Sequence, residues 1–223
     1  MNSPSLSTQE SNQEMNSRLV LFVSALVALT SFCSCKQQEV SLFNGKDLGG
    51  WEFFLAETDG PVSEEPTFSV KDGMLHISGK PNGYIRTVEK YADYTLLLEW
   101  RWTEGRADSG IYSRLQEGDK VWPVGIQLQM RESDFGFFFS GIPLEGVIPE
   151  RNYRKPPLCQ GDPELPDGEW NDTRIICEGG HITAYVNGVL VNETQCDALE
   201  GYIGIQSEGG AMDFRNIRLI PAK

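Results

Sequence analysis

A nine-residue run, Tyr94–Trp102 (YTLLLEWRW), constrains the fold more than any other stretch of this 223-residue sequence. Its large apolar side chains recur at every second position, at Tyr94, Leu96, Leu98, Trp100 and Trp102. Successive side chains of an extended strand point to opposite faces, so this spacing places all five on one side. An amphipathic helix needs a spacing of about 3.6 residues instead. The run therefore predicts a β-strand with one face in a hydrophobic core.

Shorter segments of the same kind follow along the chain and are separated by turn residues. Asp72-Gly73 and Asn187-Gly188 each lie between two such segments and predict β-hairpins. Further strands are expected at 110–116, 173–178, 202–207 and 212–220. The proline-rich run 141–166 is expected to be irregular. No segment after residue 35 shows sustained helical periodicity, so the sequence predicts an all-β protein, an antiparallel β-sandwich or jelly roll.

Residues 1–35 are predicted to be a signal-peptide region that is not part of the fold. Arg18 precedes an apolar run at 19–32, which has the length of a signal-peptide core. Because a membrane-spanning helix needs about 20 apolar residues, this run is too short to span. The residues before Met15 include two Glu and no Lys or Arg, so Met15 is the expected true start.

The end of this leader, Ser-Phe-Cys-Ser-Cys, resembles a bacterial lipobox that finishes at Cys35. Acyl chains on Cys35 would anchor the protein to a membrane without spanning it, and cleavage to a free secreted protein is the alternative. The expected location is therefore the bacterial cell envelope or the exterior. Residues 36–40 are interpreted as a linker, and 41–221 as one domain large enough to bury a core.

The charge balance excludes two classes of partner. Asp and Glu number 32 against 19 Lys and Arg. The leader holds one Arg and two Glu, so the remaining chain carries a net charge of −12. Such an acidic surface is repelled by nucleic acid and by anionic lipid. Neither is expected as a partner, and membrane contact is expected only through the lipid anchor.

Cysteine and histidine are too few to predict a metal centre. Three cysteines follow the leader: Cys159, Cys177 and Cys196. An odd number allows at most one disulfide with one free thiol, and no C-x-x-C spacing occurs. With two histidines in the whole chain, a His-rich zinc site is not expected.

The stretch Trp122–Ser140 gives the first indication of function. The polar members of its alternation are Gln127, Gln129 and Arg131, bracketed by Trp122 and Phe135. Carboxamides both donate and accept hydrogen bonds, which suits sugar hydroxyls, and aromatic rings offer a flat apolar surface. The pattern favours a strand that faces a carbohydrate. An ordinary strand whose polar face meets water is the alternative.

Four phrases occur in a familiar order: LFNGKDLGGW, DSGIYSR, GEWNDTRIICEGGHITAYVNG and GYIGIQSEGGAMDFRNIRL. Together they resemble the family of secreted bacterial 3-keto-disaccharide hydrolase domains, over about residues 40–221. The resemblance implies the concanavalin A-like lectin/glucanase fold and action on glycosides whose sugar is oxidised at C3. A 3-keto group acidifies the proton on C2, so a modest base can remove it while the C1 leaving group departs. Water then adds back, which gives net hydrolysis.

The resemblance also points to individual residues. The family's Glu-Val-Gln corresponds to Gln127-Leu128-Gln129, so Gln129 matches while an amide replaces the carboxylate at Gln127. An amide cannot act as a base. The family's Asn-Ser-Gly corresponds to Asp108-Ser109-Gly110 and is followed by a matching Arg114. Glu208 stands where the family tends to have His.

These observations assign candidate roles. The catalytic candidates are Asp134, Glu208 and Arg114. The substrate-binding candidates are Gln127, Gln129, Arg131, Trp122 and Asp108. The structural alternatives are a turn residue at Asp134 and surface ion pairs for the two arginines. No cofactor is firmly implied, and the resemblance is compatible with a divalent cation without requiring one.

Two carbohydrate-related functions follow and are left open by the sequence, beside a purely structural surface protein without sugar affinity. The first is an enzyme that cleaves 3-keto-glycosides by elimination and hydration, with a carbohydrate as partner. The second is a non-catalytic, lectin-like carbohydrate-binding module that keeps the fold without the carboxylate at Gln127.

Overall fold

Fifteen β-strands run through the residues that the computed structural model describes, 38–57, 65–148 and 153–222. In chain order they are β1 (Val40–Ser41), β2 (Trp51–Leu55), β3 (Phe68–Lys71), β4 (Met74–Ile77), β5 (Gly83–Thr87), β6 (Tyr94–Trp102), β7 (Gly110–Leu115), β8 (Ile126–Gln129), β9 (Phe138–Ser140), β10 (Tyr153–Lys155), β11 (Asn171–Glu178), β12 (His181–Val186), β13 (Val189–Gln195), β14 (Tyr202–Ser207) and β15 (Met212–Pro221). A 3₁₀ turn spans Glu132–Asp134.

The strands form two antiparallel sheets whose facing sides share one hydrophobic core. Sheet 1 has the order β13-β12-β11-β6-β15-β4-β3, and β1 also pairs with β15. Sheet 2 has the order β10-β9-β8-β7-β14-β5-β2. The predicted all-β sandwich is thereby confirmed. Residues 37–223 form one compact unit.

Strand β6 lies at the centre of sheet 1, between β11 and β15, as its pattern requires. Buried and half-buried positions alternate along all nine residues, and Trp100 and Trp102 are enclosed. The facing side of sheet 2 contributes Ile111, Leu128 and Ile205 to the same core. Burying one large apolar side chain contributes about 1.5–3 kcal/mol, so this shared core holds the two sheets together.

The structure confirms the strands with the clearest local patterns and adds others. The hairpin at Asp72-Gly73 and the one at Asn187-Gly188 both form, with positive φ at the turn residues. Strands β2, β5 and β9 were not predicted. Strand β10 lies within the run 141–166 that was expected to be irregular, so that prediction was wrong in part.

The predicted leader, residues 1–35, lies outside the described residues. Among the residues that are described, no helix is long and apolar enough to cross a membrane.

Candidate functional site

The outer face of sheet 2, opposite the core, carries a row of polar and aromatic side chains. Gln127 on β8 pairs with Tyr112 on β7 and with Phe139 on β9. Residues paired across antiparallel strands project from the same face. Because Leu128 next in sequence enters the core, Gln127 projects from the outer face.

Gly110 creates the space in which three glutamines meet. It pairs with Gln129 on one side, and the pairing of Ile111 with Ile205 brings Gln206 of β14 to its other side. A Cβ on Gly110 would lie 2.1 Å from Nε2 of Gln127, so no larger residue fits without displacing that amide.

Gln129, Gln127 and Gln206 form a continuous hydrogen-bonded group, here called the amide network. Nε2 of Gln127 donates to Oε1 of Gln129 at 2.8 Å and to Oε1 of Gln206 at 2.6 Å. All three side chains are buried, and each lies on the outer face of the sheet. Their mutual hydrogen bonds satisfy polar groups that would otherwise be costly to bury.

A carboxylate lies at each end of the amide network. Nε2 of Gln129 donates to Oδ1 of Asp108 at 2.7 Å, and Nε2 of Gln206 donates to Oε2 of Glu208 at 2.6 Å. The backbones of Asp108 and Glu208 form an isolated antiparallel bridge, which brings the two ends together. The structure therefore assembles four predicted residues, together with Gln206, into one site.

Burial raises the pKa of both carboxyl groups above the usual values. For Glu208 the neighbouring charge of Asp108 raises it further, whereas hydrogen bonds from Trp122 and Gln206 act in the opposite direction. Asp108 has a direct cation, Arg131, at 3.2 Å. No Lys or Arg of the described residues pairs with Glu208 within 4.0 Å. Arg131 also lowers the pKa of Glu208, so the two carboxyl groups differ in that Asp108 has a direct ion pair and Glu208 has none among the described residues.

Arg131 and Asp134 form an ion pair beside this site. The guanidinium of Arg131 contacts both oxygens of Asp134, at 2.8 and 2.5 Å, and Arg154 contacts the same carboxylate at 3.3 Å. Two guanidinium groups thus engage Asp134, which also lies in the 3₁₀ turn. These contacts support a role for Asp134 in positioning Arg131, and they do not support its predicted role as a base.

Aromatic side chains border the amide network. Trp122 is 62 % exposed and its indole N–H donates to Oε2 of Glu208 at 3.4 Å, so the predicted stacking ring lies beside the carboxylate. Phe139 adjoins Gln127 and carries the guanidinium of Arg154 at 4.5 Å from its centre. Phe135, expected to flank the sugar, is instead buried in the core against Trp100.

Arg114 does not join the site, which corrects its predicted catalytic role. Its side chain is fully buried and its guanidinium donates to the backbone carbonyls of Tyr91, Ala92 and Gly179. One extra residue in β7 relative to β14, with a φ of 53° at Arg114, reverses the alternation after Tyr112. Arg114 therefore links the β5–β6 loop and the β11–β12 turn to β7 by hydrogen bonds.

Two members of the site were missed by the sequence analysis. Gln206 lies in the closing phrase and is two residues from Glu208, so an alternating count along β14 places it on the outer face. Gly110 was quoted only as part of the phrase DSGIYSR, and its role depends on a contact between strands that local sequence does not show.

Two carboxylates of the site, Asp108 and Glu208, are the candidate ligands for a divalent cation. The described residues contain no group of three or more His, Cys, Asp or Glu side chains that could hold a metal ion. Each end carboxylate already accepts hydrogen bonds from amide N–H groups.

A separate cleft of about 540 Å³ is lined by residues of β1 and β15 and by the β3–β4 turn, and therefore belongs to sheet 1.

With this geometry in view, comparison with known proteins identifies the family. The sequence model of the 3-keto-alpha-glucoside-1,2-lyase-like domain matches residues 38–220. The protein belongs to this family. The predicted family membership is thus confirmed, and with it a carbohydrate-active, glycosyl hydrolase-like character. No curated protein matches the chain.

Solved structures show the same fold. A Parabacteroides distasonis ATCC 8503 protein, provisionally described as a glycosyl hydrolase, is 20 % identical over 88 % of this chain and 99 % of its own, with a TM-score of 0.63. A Bacillus licheniformis β-glucanase is 14 % identical over 83 % and 98 %, with a TM-score of 0.55. The carbohydrate-binding module CBM66 from Bacillus subtilis is 15 % identical over 75 % and 93 %, with a TM-score of 0.51. At these identities the likeness concerns the fold alone.

Proposed function

We propose that this protein cleaves 3-keto-glycosides on the outer face of sheet 2, by elimination across C1 and C2 followed by addition of water. The observation that carries the proposal is the hydrogen-bonded run from Asp108 through the amide network to Glu208, with an exposed indole beside it. The run ends in a half-buried carboxylate with a raised pKa, and such groups are typical of general acids and bases.

Glu208 is the general base in this mechanism. It removes the proton from C2, and the electron pair of that C–H bond is delocalised towards the C3 ketone. The same pair then forms the C1–C2 double bond as the C1–O bond breaks, and the leaving oxygen takes up a proton. Water adds at C1 and a proton returns to C2, which completes net hydrolysis. A base of raised pKa suits the first step because it binds the abstracted proton more strongly.

The other groups bind and orient the sugar. Trp122 offers its ring for stacking, and Arg131 supplies N–H donors towards the oxygen that becomes negative when the C2 proton leaves. Asp108 and Asp134 hold Arg131 from two sides, which fixes the direction of its guanidinium. Such fixed donors need no reorganisation during the reaction, and this contributes to catalysis.

The test is incubation of the purified protein with methyl 3-keto-α- and β-glucosides, followed by NMR. Methanol release with formation of a free 3-keto sugar is the expected result, and Glu208→Gln should abolish it. Glu132→Gln, in the exposed part of the 3₁₀ turn, is the matched control and should retain activity. Binding of the glucosides without any turnover by the wild type would contradict the enzymatic proposal.

A carbohydrate-binding module is the second candidate function, favoured by Gln127. An amide at this position cannot act as a general acid or base, and the site as formed uses it as part of a hydrogen-bonded surface. In that case Gln127→Ala weakens sugar affinity and no variant of Glu208 changes turnover, because there is none to change. The NMR experiment therefore separates the two functions.

We further propose that the leader directs the protein to the bacterial cell envelope, anchored at Cys35 or released. Labelling with a fatty-acid probe in a bacterial host should mark the wild type and not Cys35→Ala. Equal labelling of both would contradict the lipid anchor.

A further inference from the structure

The direction of every hydrogen bond in the amide network is set from its two ends. An ionised carboxylate can only accept hydrogen bonds, so Gln129 must turn Nε2 towards Asp108, and Gln206 must turn Nε2 towards Glu208. Gln129 and Gln206 then each present the side-chain carbonyl oxygen, Oε1, to Gln127. Gln127 lies between two acceptors and must donate to both.

Both Nε2 hydrogens of Gln127 are therefore used inside the network. Its own carbonyl oxygen, Oε1, accepts no hydrogen bond from the described residues, and it is not among the enclosed side-chain atoms that lack a partner. Nε2 of Gln127 is the atom that lies over Gly110, so Oε1 of the same amide points away from Gly110. An acceptor is thus left open on the outer face of sheet 2.

We propose that Gln127 accepts a hydrogen bond from a hydroxyl of the bound ligand, because Asp108 and Glu208 together fix the orientation of the amide network. The inference rests on the proposed function in taking the ligand to be a sugar. It refines that function by naming the required group, a hydroxyl that can donate. A position that carries a ketone or a fluorine cannot satisfy this oxygen.

The same orientation predicts that Glu cannot replace Gln127 in this chain without a loss of stability at neutral pH. A carboxylate at position 127 would face two carbonyl oxygens at 2.6 and 2.8 Å. If both neighbouring amides rotated to donate to it, their oxygens would face Asp108 and Glu208 instead. In the first arrangement the pKa of the introduced Glu is raised, and in the second the pKa of Asp108 and Glu208 is raised, so in both the folded protein binds a proton more readily than the unfolded chain.

The first experiment measures thermal unfolding of Gln127→Glu from pH 4.5 to 7.5. A carboxyl group whose pKa is higher in the folded state imposes no penalty below its unfolded pKa and a growing penalty above it. The Tm deficit against wild type should therefore be larger at pH 7.5 than at pH 4.5, by about 5–10 °C. Gln195→Glu, on an exposed position of β13, controls for the added charge and should show no such trend. A deficit of equal size at both pH values overturns the inference, and a variant that folds only at low pH supports it.

A measurement on the wild type covers the case in which the variant does not fold at any pH. Both Nε2 hydrogens of Gln127 should exchange slowly with solvent in ¹⁵N-edited NMR, because both are hydrogen-bonded. Fast exchange of either hydrogen overturns the proposed orientation.

The second experiment measures the ligand contact with methyl α-glucoside and its 2-, 4- and 6-deoxyfluoro analogues by calorimetry. One analogue should bind about 5- to 10-fold more weakly than the parent, the effect of losing one hydrogen bond. Gln127→Met should remove this discrimination, and equal discrimination in that variant overturns the contact. If no glucoside binds while the pH experiment gives the expected trend, the ligand contact fails and the orientation of the amide network stands; turnover of the 3-keto-glucosides tests the proposed function separately.

Discussion

Two glutamates of this protein, the buried Glu164 and the half-buried Glu208, each accept a hydrogen bond from a tryptophan, and they differ in their other surroundings. Glu164 accepts from Trp102 at 2.5 Å, inside the sandwich, with a fully enclosed side chain. Glu208 accepts from Trp122 at 3.4 Å, where the indole is mostly exposed. Burial raises the pKa of both, to about 7 for Glu164.

The difference separates a structural carboxyl group, Glu164, from the proposed general base, Glu208. Glu164 has a cation, Arg106, at 3.3 Å, and its second oxygen is buried without a partner. Glu208 instead ends a network on the outer face of sheet 2, where its other partner is the exposed indole of Trp122. A raised pKa therefore indicates function only when the group can also meet a substrate.

Glu208→Gln is expected to give the largest effect on activity and tests the proposed role of Glu208. Loss of a general base lowers kcat by about 100- to 10,000-fold. Glu164→Gln should leave kcat within about 3-fold of wild type, because that side chain meets no ligand. Steady-state kinetics on a methyl 3-keto-glucoside measures both, and similar losses in the two variants would remove the distinction.

Glu164→Gln should instead change how stability depends on pH. The pKa of Glu164 in the folded protein, about 7, exceeds its unfolded value. At acidic pH the group is protonated in both the folded and the unfolded state, so it does not reduce the stability there. Stability then falls as the pH rises from about 4.5 to 7, by up to about 3 kcal/mol. The amide introduced by Glu164→Gln does not ionise, so the variant does not lose this stability as the pH rises. The stability of the variant relative to wild type should therefore improve between pH 5 and pH 8 in denaturant titrations, and an unchanged difference would contradict the assignment.

Gly110→Ala tests the geometry of the open site without altering a functional group. The new Cβ would overlap the side chain of Gln127, so the amide network must shift. Glucoside affinity is expected to fall about 10- to 30-fold. Gly141→Ala, whose Cβ would meet its neighbours at an ordinary 3.4 Å, is the matched control. Equal affinities of the two variants in calorimetry would show that the network does not contact the sugar.

Trp122→Ala should give the smallest effect, because its indole is exposed and its hydrogen bond to Glu208 is long. Loss of one stacking ring is expected to weaken glucoside binding about 5-fold, an effect of about 1 kcal/mol. Trp122→Phe keeps a ring and should recover most of the affinity. An unchanged glucoside affinity in Trp122→Ala would contradict the stacking role of Trp122 and leave Phe139 as the candidate ring.

The sequence predicted the parts of the fold that depend on local pattern. The alternation in β6 and the turn dipeptides at Asn187-Gly188 and Asp72-Gly73 determine structure within a few residues. Strands β2 and β9 could not be predicted in this way. Phe53 and Phe54 on β2 and Phe137–Phe139 at β9 are continuous apolar runs without alternation. Strand β2 also pairs with β5, which lies beyond β3 and β4 in the chain.

The site was predictable where side chains follow a regular alternation, and not elsewhere. Gln127 and Gln129 lie where a period of two places them, and family resemblance added Asp108 and Glu208. Arg114 was misplaced because a bulge in β7 reverses the period, and a bulge is determined by pairing with β14.

Isotope incorporation at C2 tests the central claim most directly. Wild-type protein is given methyl 3-keto-α-glucoside in D₂O, with a protein-free sample to measure background exchange, and the product is followed by NMR. If Glu208 removes the C2 proton before C1–O cleavage, the free sugar carries deuterium at C2 and Glu208→Gln forms no product. A product that retains hydrogen at C2, or unchanged turnover in Glu208→Gln, would contradict the account.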